Sequence, residues 1–172
     1  MLGRQIIDYS GAEIESGSID GLNLLPVETF FEAFDDKRTR QVRGRIRPLD
    51  GCFSDLSDTE IKGYEIHMGY TVPEGTDEPF ADIVDSESEQ STDGFVRGNV
   101  LGTYVHGLFD NKEVTDALLE RLVKNSGKQS LPLNVPDING FKEEQYDRLA
   151  DALRSALDME SIYEILGLPY RG

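Results

Sequence analysis

Tryptophan is absent, cysteine occurs once and histidine twice, and 17 Lys and Arg face 33 Asp and Glu. A single cysteine excludes an internal disulfide and agrees with a reducing, cytoplasmic setting. The net charge of −16 repels nucleic acid and anionic membrane surfaces unless a local basic patch intervenes. No stretch approaches the roughly 18 apolar residues of a membrane span. The opening "MLGRQIIDYSG" is neither a basic region followed by an apolar one nor an Arg- and Ser-rich targeting segment. Internal repeats, heptads and long linkers are also missing. What remains, 172 residues at 38% hydrophobic, suits one globular domain spanning 1–172.

The charge is unevenly placed. The basic cluster "KRTRQVRGRIR", residues 37–47, mixes Arg with Val42 and Ile46 at strand-like alternation, so it reads as an exposed strand face rather than a phosphate site. The stretch 74–93, "EGTDEPFADIVDSESEQSTD", has carboxylates and no Lys or Arg, and reads as a solvated, mobile loop. Its carboxylates lack the glycine-turned spacing and the histidines of a metal site, so no metal is expected.

Strands come first and helices later. Residues 21–31, 40–48, 61–71, 94–99 and 100–109 are rich in β-branched and aromatic residues and bounded by Gly, Pro and Asp. The last is almost continuously apolar, the pattern of a central strand covered on both faces. The alternation in "KGYEIHMG" instead suits a strand that shows one face to a cleft. Helices follow at 110–127, with Asp110 as N-cap and Glu113 completing a capping box, at 141–157 with Tyr146, Leu149, Leu153 and Leu157 on one face, and at 159–166 behind Asp158. A sheet with helices appended is an α/β arrangement.

Three residues stand out chemically. His106 ends the strand in "GTYVHGLF" and precedes Gly107, so its imidazole emerges at a strand's carboxyl end, where α/β sheets place their ligands. A structural histidine and a general base both fit that position. His67 alternates with Glu65, which sets both on one strand face, as a cross-strand polar pair or as the lining of a site. Cys52, in "PLDGCFSDLSD", lacks a helix N-terminus or glycine-framed elbow to activate it and is read as inert.

The stretches "GLNLLPVET", "VRGRI", "GYEIHMGYT", "DGFVRGNVLGTYVHGLFDN" and "LRSALDMESIYEILG", in that order, resemble the C-terminal class I glutamine amidotransferase domain of the cobyric acid synthase family. The resemblance implies a flavodoxin-like α/β fold, a mixed sheet with flanking helices. It further implies glutamine as the ammonia donor and His106 as the base that deprotonates a cysteine and protonates the departing ammonia. Such a role is commonly worth roughly 10² to 10⁴ in rate. Tyr64, Glu65 and His67 are expected on the glutamine side of the cleft. Many class I relatives carry a glutamate two residues after the histidine; Leu108 stands there, so a Cys–His dyad is expected, with the ring oriented by other groups.

The family's nucleophile stands in an elbow reading approximately Cys-Gly-Gly-Tyr-Gln-Met-Leu-Gly, and this sequence opens on "MLG". The resemblance therefore places the cysteine, the elbow and the strands before it upstream of Met1. The ATP- and magnesium-binding domain, which activates corrin carboxylates on the way from adenosylcobyrinic acid a,c-diamide to adenosylcobyric acid, falls there too. On that reading this chain alone is inactive. Two alternatives stay open: a non-catalytic assembly module that associates, with itself or a partner, through an exposed sheet edge, and an amidotransferase of cell-wall amidation, against which the tail "LDMESIYEILG" argues.

Overall fold

The structure is a computed structural model that describes residues 1–11, 15, 17–31, 38–75, 78–127 and 137–170. Lys37 of the basic cluster and Thr76 and Asp77 of the acidic stretch lie outside these. The chain divides into two compact units, 1–135 and 136–172.

In chain order the strands of the first unit are β1 (Gln5–Asp8), β2 (Gly17–Asp20), β3 (Val27–Phe31), β4 (Arg38–Ile46), β5 (Glu60–His67), β6 (Tyr70–Pro73), β7 (Pro79–Asp85), β8 (Gln90–Arg97), β9 (Val100–Gly102) and β10 (Val105–His106). They make two sheets: a four-stranded one in the order β2-β1-β3-β6, and a six-stranded antiparallel one in the order β10-β5-β4-β7-β8-β9. Among the described residues only β1 and β3 pair in parallel. Helix α1 (Lys112–Asn125) follows a 3-10 turn at Leu108–Asp110. The result is the mixed α/β architecture, with flanking helices, that the sequence implies.

The six-stranded sheet is curled. β9 and β10 form its opposite edges, yet only Thr103 and Tyr104 separate them along the chain. Three residue steps reach no further than about 11 Å. A flat six-stranded sheet, with strands roughly 4.8 Å apart, is about 24 Å across. The edges must therefore roll toward each other, and residues 103–104 close the seam. This corrects the reading of 100–109 as one central strand: the apolar run breaks into two edge strands.

Inside the curl lies the core. Val42, Ile46, Ile61, Ala81, Ile83 and Val105 pack with Phe80, and Leu56, Leu108 and Val114 join the same cluster from the turn at Gly51–Leu56, the 3-10 turn at Leu108–Asp110 and the start of α1. Fully burying a side chain of this size contributes about 1.5–3 kcal/mol.

The acidic stretch is not a loop. Residues 79–85 and 90–97 are β7 and β8, and β7 pairs with β4 on one side and β8 on the other. Phe80, Ala81 and Ile83 are buried core, and Asp85 and Asp93 are buried with them. The basic cluster forms β4, in the interior of the sheet: Gln41, Arg43 and Arg45 are exposed, as expected of an outward strand face, while Arg40 points inward. Residues 61–71 divide between β5 and β6, which belong to different sheets.

The second unit holds α2 (Ile138–Ala156) and α3 (Met159–Ile165). α2 starts three residues ahead of the expected 141, capped by Asp137, which accepts from Asn139 N at 3.1 Å, and Leu157 falls just beyond its end. Asp158 caps α3 as expected, accepting from Ser161 N at 3.1 Å. The apolar stripe of α2 is exposed at Tyr146, Leu149 and Leu153.

Candidate active site

β5 carries three of the four candidate residues, and its pleat separates them. Successive side chains of a strand point to opposite faces, so Glu65 and His67 turn into the curl while Tyr64 and Ile66 turn out. Glu65 is 4% exposed, against 51% for Tyr64 and 40% for Ile66. His106 pairs directly with Tyr64 across the β5–β10 ladder. Residues directly opposite in an antiparallel pair share a face. The structure thus brings His106 and Tyr64 together on the outer face, where the imidazole is exposed. Glu65 and His67 lie behind them.

Gly63 makes this pairing possible. A Cβ there would lie 2.3 Å from the His106 carbonyl oxygen and 2.6 Å from Val105 Cγ1, so any side chain would push β10 away. After His106, Gly107 takes φ 81 and turns the chain into the 3-10 turn, a conformation that glycine adopts without steric cost.

The inner face holds a closed polar network. Arg40 stands opposite Glu65 in the β4–β5 register. Its Nε donates to Glu65 Oε2 at 2.5 Å, one terminal nitrogen to Asp85 Oδ2 at 2.8 Å, and the other to Ser91 Oγ at 3.0 Å. His67 completes it, with Nε2 2.8 Å from Glu65 Oε1 and Nδ1 2.9 Å from the Gly69 carbonyl. Burial works to raise the Glu65 carboxyl, but hydrogen bonds from His67 and Arg40 and the Arg40 charge outweigh it and hold it below its ordinary value.

The seam is tied to this network. Asp93 accepts from the Thr103 hydroxyl and from Tyr104 N at 2.9 Å, and Thr103 Oγ1 accepts from Val105 N at 3.0 Å. Burial holds Asp93 above its ordinary range despite those bonds. The Tyr104 ring stacks on His67 with centroids 4.3 Å apart, and its hydroxyl bonds Thr71 Oγ1 at 2.6 Å.

On the far side of His106, Asn111 stands where Asp110 was expected to cap α1. Asp110 lies in the preceding 3-10 turn, and Asn111 makes no side-chain cap bond. Its carboxamide turns back instead: Oδ1 accepts from Lys62 N (2.9 Å), and Nδ2 faces the carbonyls of Lys62 (2.9 Å), Leu108 (3.0 Å) and Gly107 (3.1 Å). Arg40, Asp93 and Asn111 escaped the sequence reading. The one available signal was the alternation in "PFADIVD", which exposes β7 and its inward Asp85.

Cys52 lies in the 3-10 turn at Gly51–Leu56, and its Sγ contacts the Gly98 carbonyl at 3.4 Å, not His106. A cavity of about 220 Å³ lined by Leu2, Leu25, Val27, Thr29, Thr71 and Tyr104 includes neither His106 nor Tyr64. Being apolar and set off from the histidine, it is not taken as the site of chemistry. Among the described residues no group of three or more His, Cys, Asp or Glu side chains is arranged to hold a metal ion. No helix among them is long and apolar enough to cross a membrane.

The comparisons with known proteins agree on one family. Residues 1–114 match the CobB/CobQ-like glutamine amidotransferase domain. The chain is 38% identical to the cobyric acid synthase of Ruminiclostridium cellulolyticum over 96% of its own length and 32% of the relative's. It is 38% identical to the probable cobyric acid synthase of Methanococcoides burtonii over 98% of its length and 31% of the relative's. With the cobyric acid synthase of Photorhabdus laumondii the identity is 39%, over 96% and 33%. The chain therefore spans about a third of the length of these relatives. With a matching segment of about two-thirds of its residues and the mixed α/β architecture that goes with it, the chain belongs to the CobB/CobQ-like glutamine amidotransferase domain family.

Proposed function

We propose that this chain is the histidine-bearing part of a glutamine-hydrolysing domain that supplies ammonia to a cobyric acid synthase. His106 is the general base and acid. It takes the proton of a cysteine thiol as the thiolate attacks the side-chain amide of glutamine, and returns it to the leaving ammonia, leaving an acyl-enzyme that water hydrolyses to glutamate. The observation that carries this reading is the placement of His106: exposed on the outer face of the curled sheet, at the end of β10, with no hydrogen bond to its imidazole among the described residues. An imidazole left in that state is available to a nucleophile and a substrate arriving over Tyr64. The nucleophile is a cysteine supplied from outside this chain, since Cys52 is held elsewhere.

Glu65 and His67 enter this reading from behind the strand. They are saturated by Arg40 and Gly69 and brace the wall on which Tyr64 and His106 meet the glutamine. The ammonia acceptor is a corrin carboxylate activated with ATP and magnesium in the portion of the relatives that this chain does not span.

In the full-length protein that carries this domain, His106→Ala abolishes glutamine-dependent amidation and spares amidation driven by added ammonia. Equal loss of both removes His106 from the catalytic role. The 172-residue chain by itself releases no ammonia from glutamine; release that vanishes in Cys52→Ser would make Cys52 the nucleophile instead.

A further inference from the structure

His106 ends a strand of two residues, paired to β5 only through Val105↔Glu65 and His106↔Tyr64. So short a ladder fixes a side chain poorly, and no side chain among the described residues bonds the imidazole to orient it. Two residues flanking β10 supply what the ladder lacks. Before it, Asp93 binds the Thr103 hydroxyl and Tyr104 N, and Thr103 in turn binds Val105 N, so one buried carboxyl, directly and through Thr103, holds the backbone of the two residues that lead into His106. After it, the Asn111 carboxamide exchanges both a donor and an acceptor bond with the Lys62 backbone. That is the bond pattern of a peptide unit in a paired strand. Asn111 thereby occupies the position on β5 that the next residues of β10 would have taken, while its Nδ2 also holds the Gly107 and Leu108 carbonyls.

We propose that Asp93 and Asn111 are positioning residues for His106, pinning the two-residue strand from either side so that the imidazole is aimed without a carboxylate partner of its own. The inference rests on the reading of His106 as the base. Asp93 lies inside the sheet and Asn111 beyond the strand, so each acts through the backbone and touches no reacting atom.

The test is glutaminase kinetics of the full-length protein carrying Asn111→Ala, Asp93→Ala or Asp93→Asn, with His106→Ala as reference. Displacement of a catalytic group by an ångström costs on the order of 100-fold. Asn111→Ala and Asp93→Ala are expected to lower kcat by about 10- to 100-fold while KM for glutamine stays within about twofold. Asp93→Asn keeps an oxygen for Tyr104 N and retains kcat within about threefold. Unchanged kcat in both alanine variants overturns the proposal, and so does a KM that rises in step with the fall in kcat, the mark of a collapsed substrate site. If His106→Ala itself leaves glutaminase activity intact, the reading of His106 fails; if it is inactive while both alanine variants are active, only the positioning role fails. Side-chain nitrogen NMR of the full-length protein gives a second readout independent of turnover. Asn111→Ala is expected to broaden or split the His106 ring signals and leave those of His67 sharp, and unaltered His106 signals overturn the proposal.

Discussion

The two faces of β5 are built from alternate residues of the same eight-residue strand, yet they differ in almost every physical respect. Inward, Glu65 is buried and His67 largely covered, and both are bound at each polar side-chain atom to Arg40, Gly69 or each other. Outward, Tyr64 and Ile66 are exposed beside a histidine whose ring has no hydrogen bond among the described residues. A pleated strand can thus be braced behind and open in front. Movement in the brace moves the front, because the two faces share one backbone.

The comparison breaks most sharply at Arg40. Its side chain is 14% exposed and holds Glu65 and Asp85 at once. Arg40→Ala takes the shared cation from two buried carboxylates, leaving Glu65 with His67 and Asp85 with backbone N–H groups; breaking a buried pair in this way costs about 3–5 kcal/mol, and denaturant unfolding should show that loss. Retention of wild-type stability would mean that the inner network braces nothing.

Acid sharpens the contrast less drastically. Because the Glu65 carboxyl is held below its ordinary value, the stability it contributes is complete above about pH 4.3, the unfolded-state value, and is lost as pH falls through the lower folded value. In Glu65→Gln, stability should fall less steeply with acid over that window than in the wild type. Asp93, raised chiefly by burial and also by the Glu65 charge, acts with the opposite sign, stability fading as pH climbs from the unfolded value to the folded one, and Glu65→Gln removes part of that shift as well. The smallest effect belongs to the outer face: Ile66→Ser should change stability by no more than about 0.5 kcal/mol, seen as an almost unshifted melting curve. A large loss there would show that the front is packed as tightly as the back.

The sequence yielded what depends on local pattern. The strands around Val42, Tyr64 and Phe95, the helices at Lys112–Asn125 and Met159–Ile165 and the strand-end position of His106 all follow from alternation, periodicity and turn residues. It failed where a distant partner decides. Residues 74–93 looked like a solvated loop because their charge was counted as a whole, while the cation that allows Asp85 to be buried lies 45 residues away at Arg40. The apolar run 100–109 looked like one central strand because nothing local signals that Thr103 and Tyr104 turn to Asp93 and His67 and close a seam. Asn111, at a helix start, is most simply expected to cap that helix. Only the proximity of Lys62, 49 positions earlier, gives its carboxamide a competing partner. The outward placement of Tyr64 and the inward one of Glu65 and His67 were implicit in the alternation, but which direction was inside required the curl.

The Asn111 carboxamide also bears on how copies of this chain meet one another. β5 has only two residues of β10 alongside it, so beyond His106 its edge would otherwise present unpaired backbone groups, a template for a strand from another molecule. At Lys62 both the N–H and the carbonyl are already taken by a side chain that cannot itself be extended into a sheet. An incoming strand would have to evict it, so the residue that ends the turn after His106 also guards against edge-to-edge aggregation.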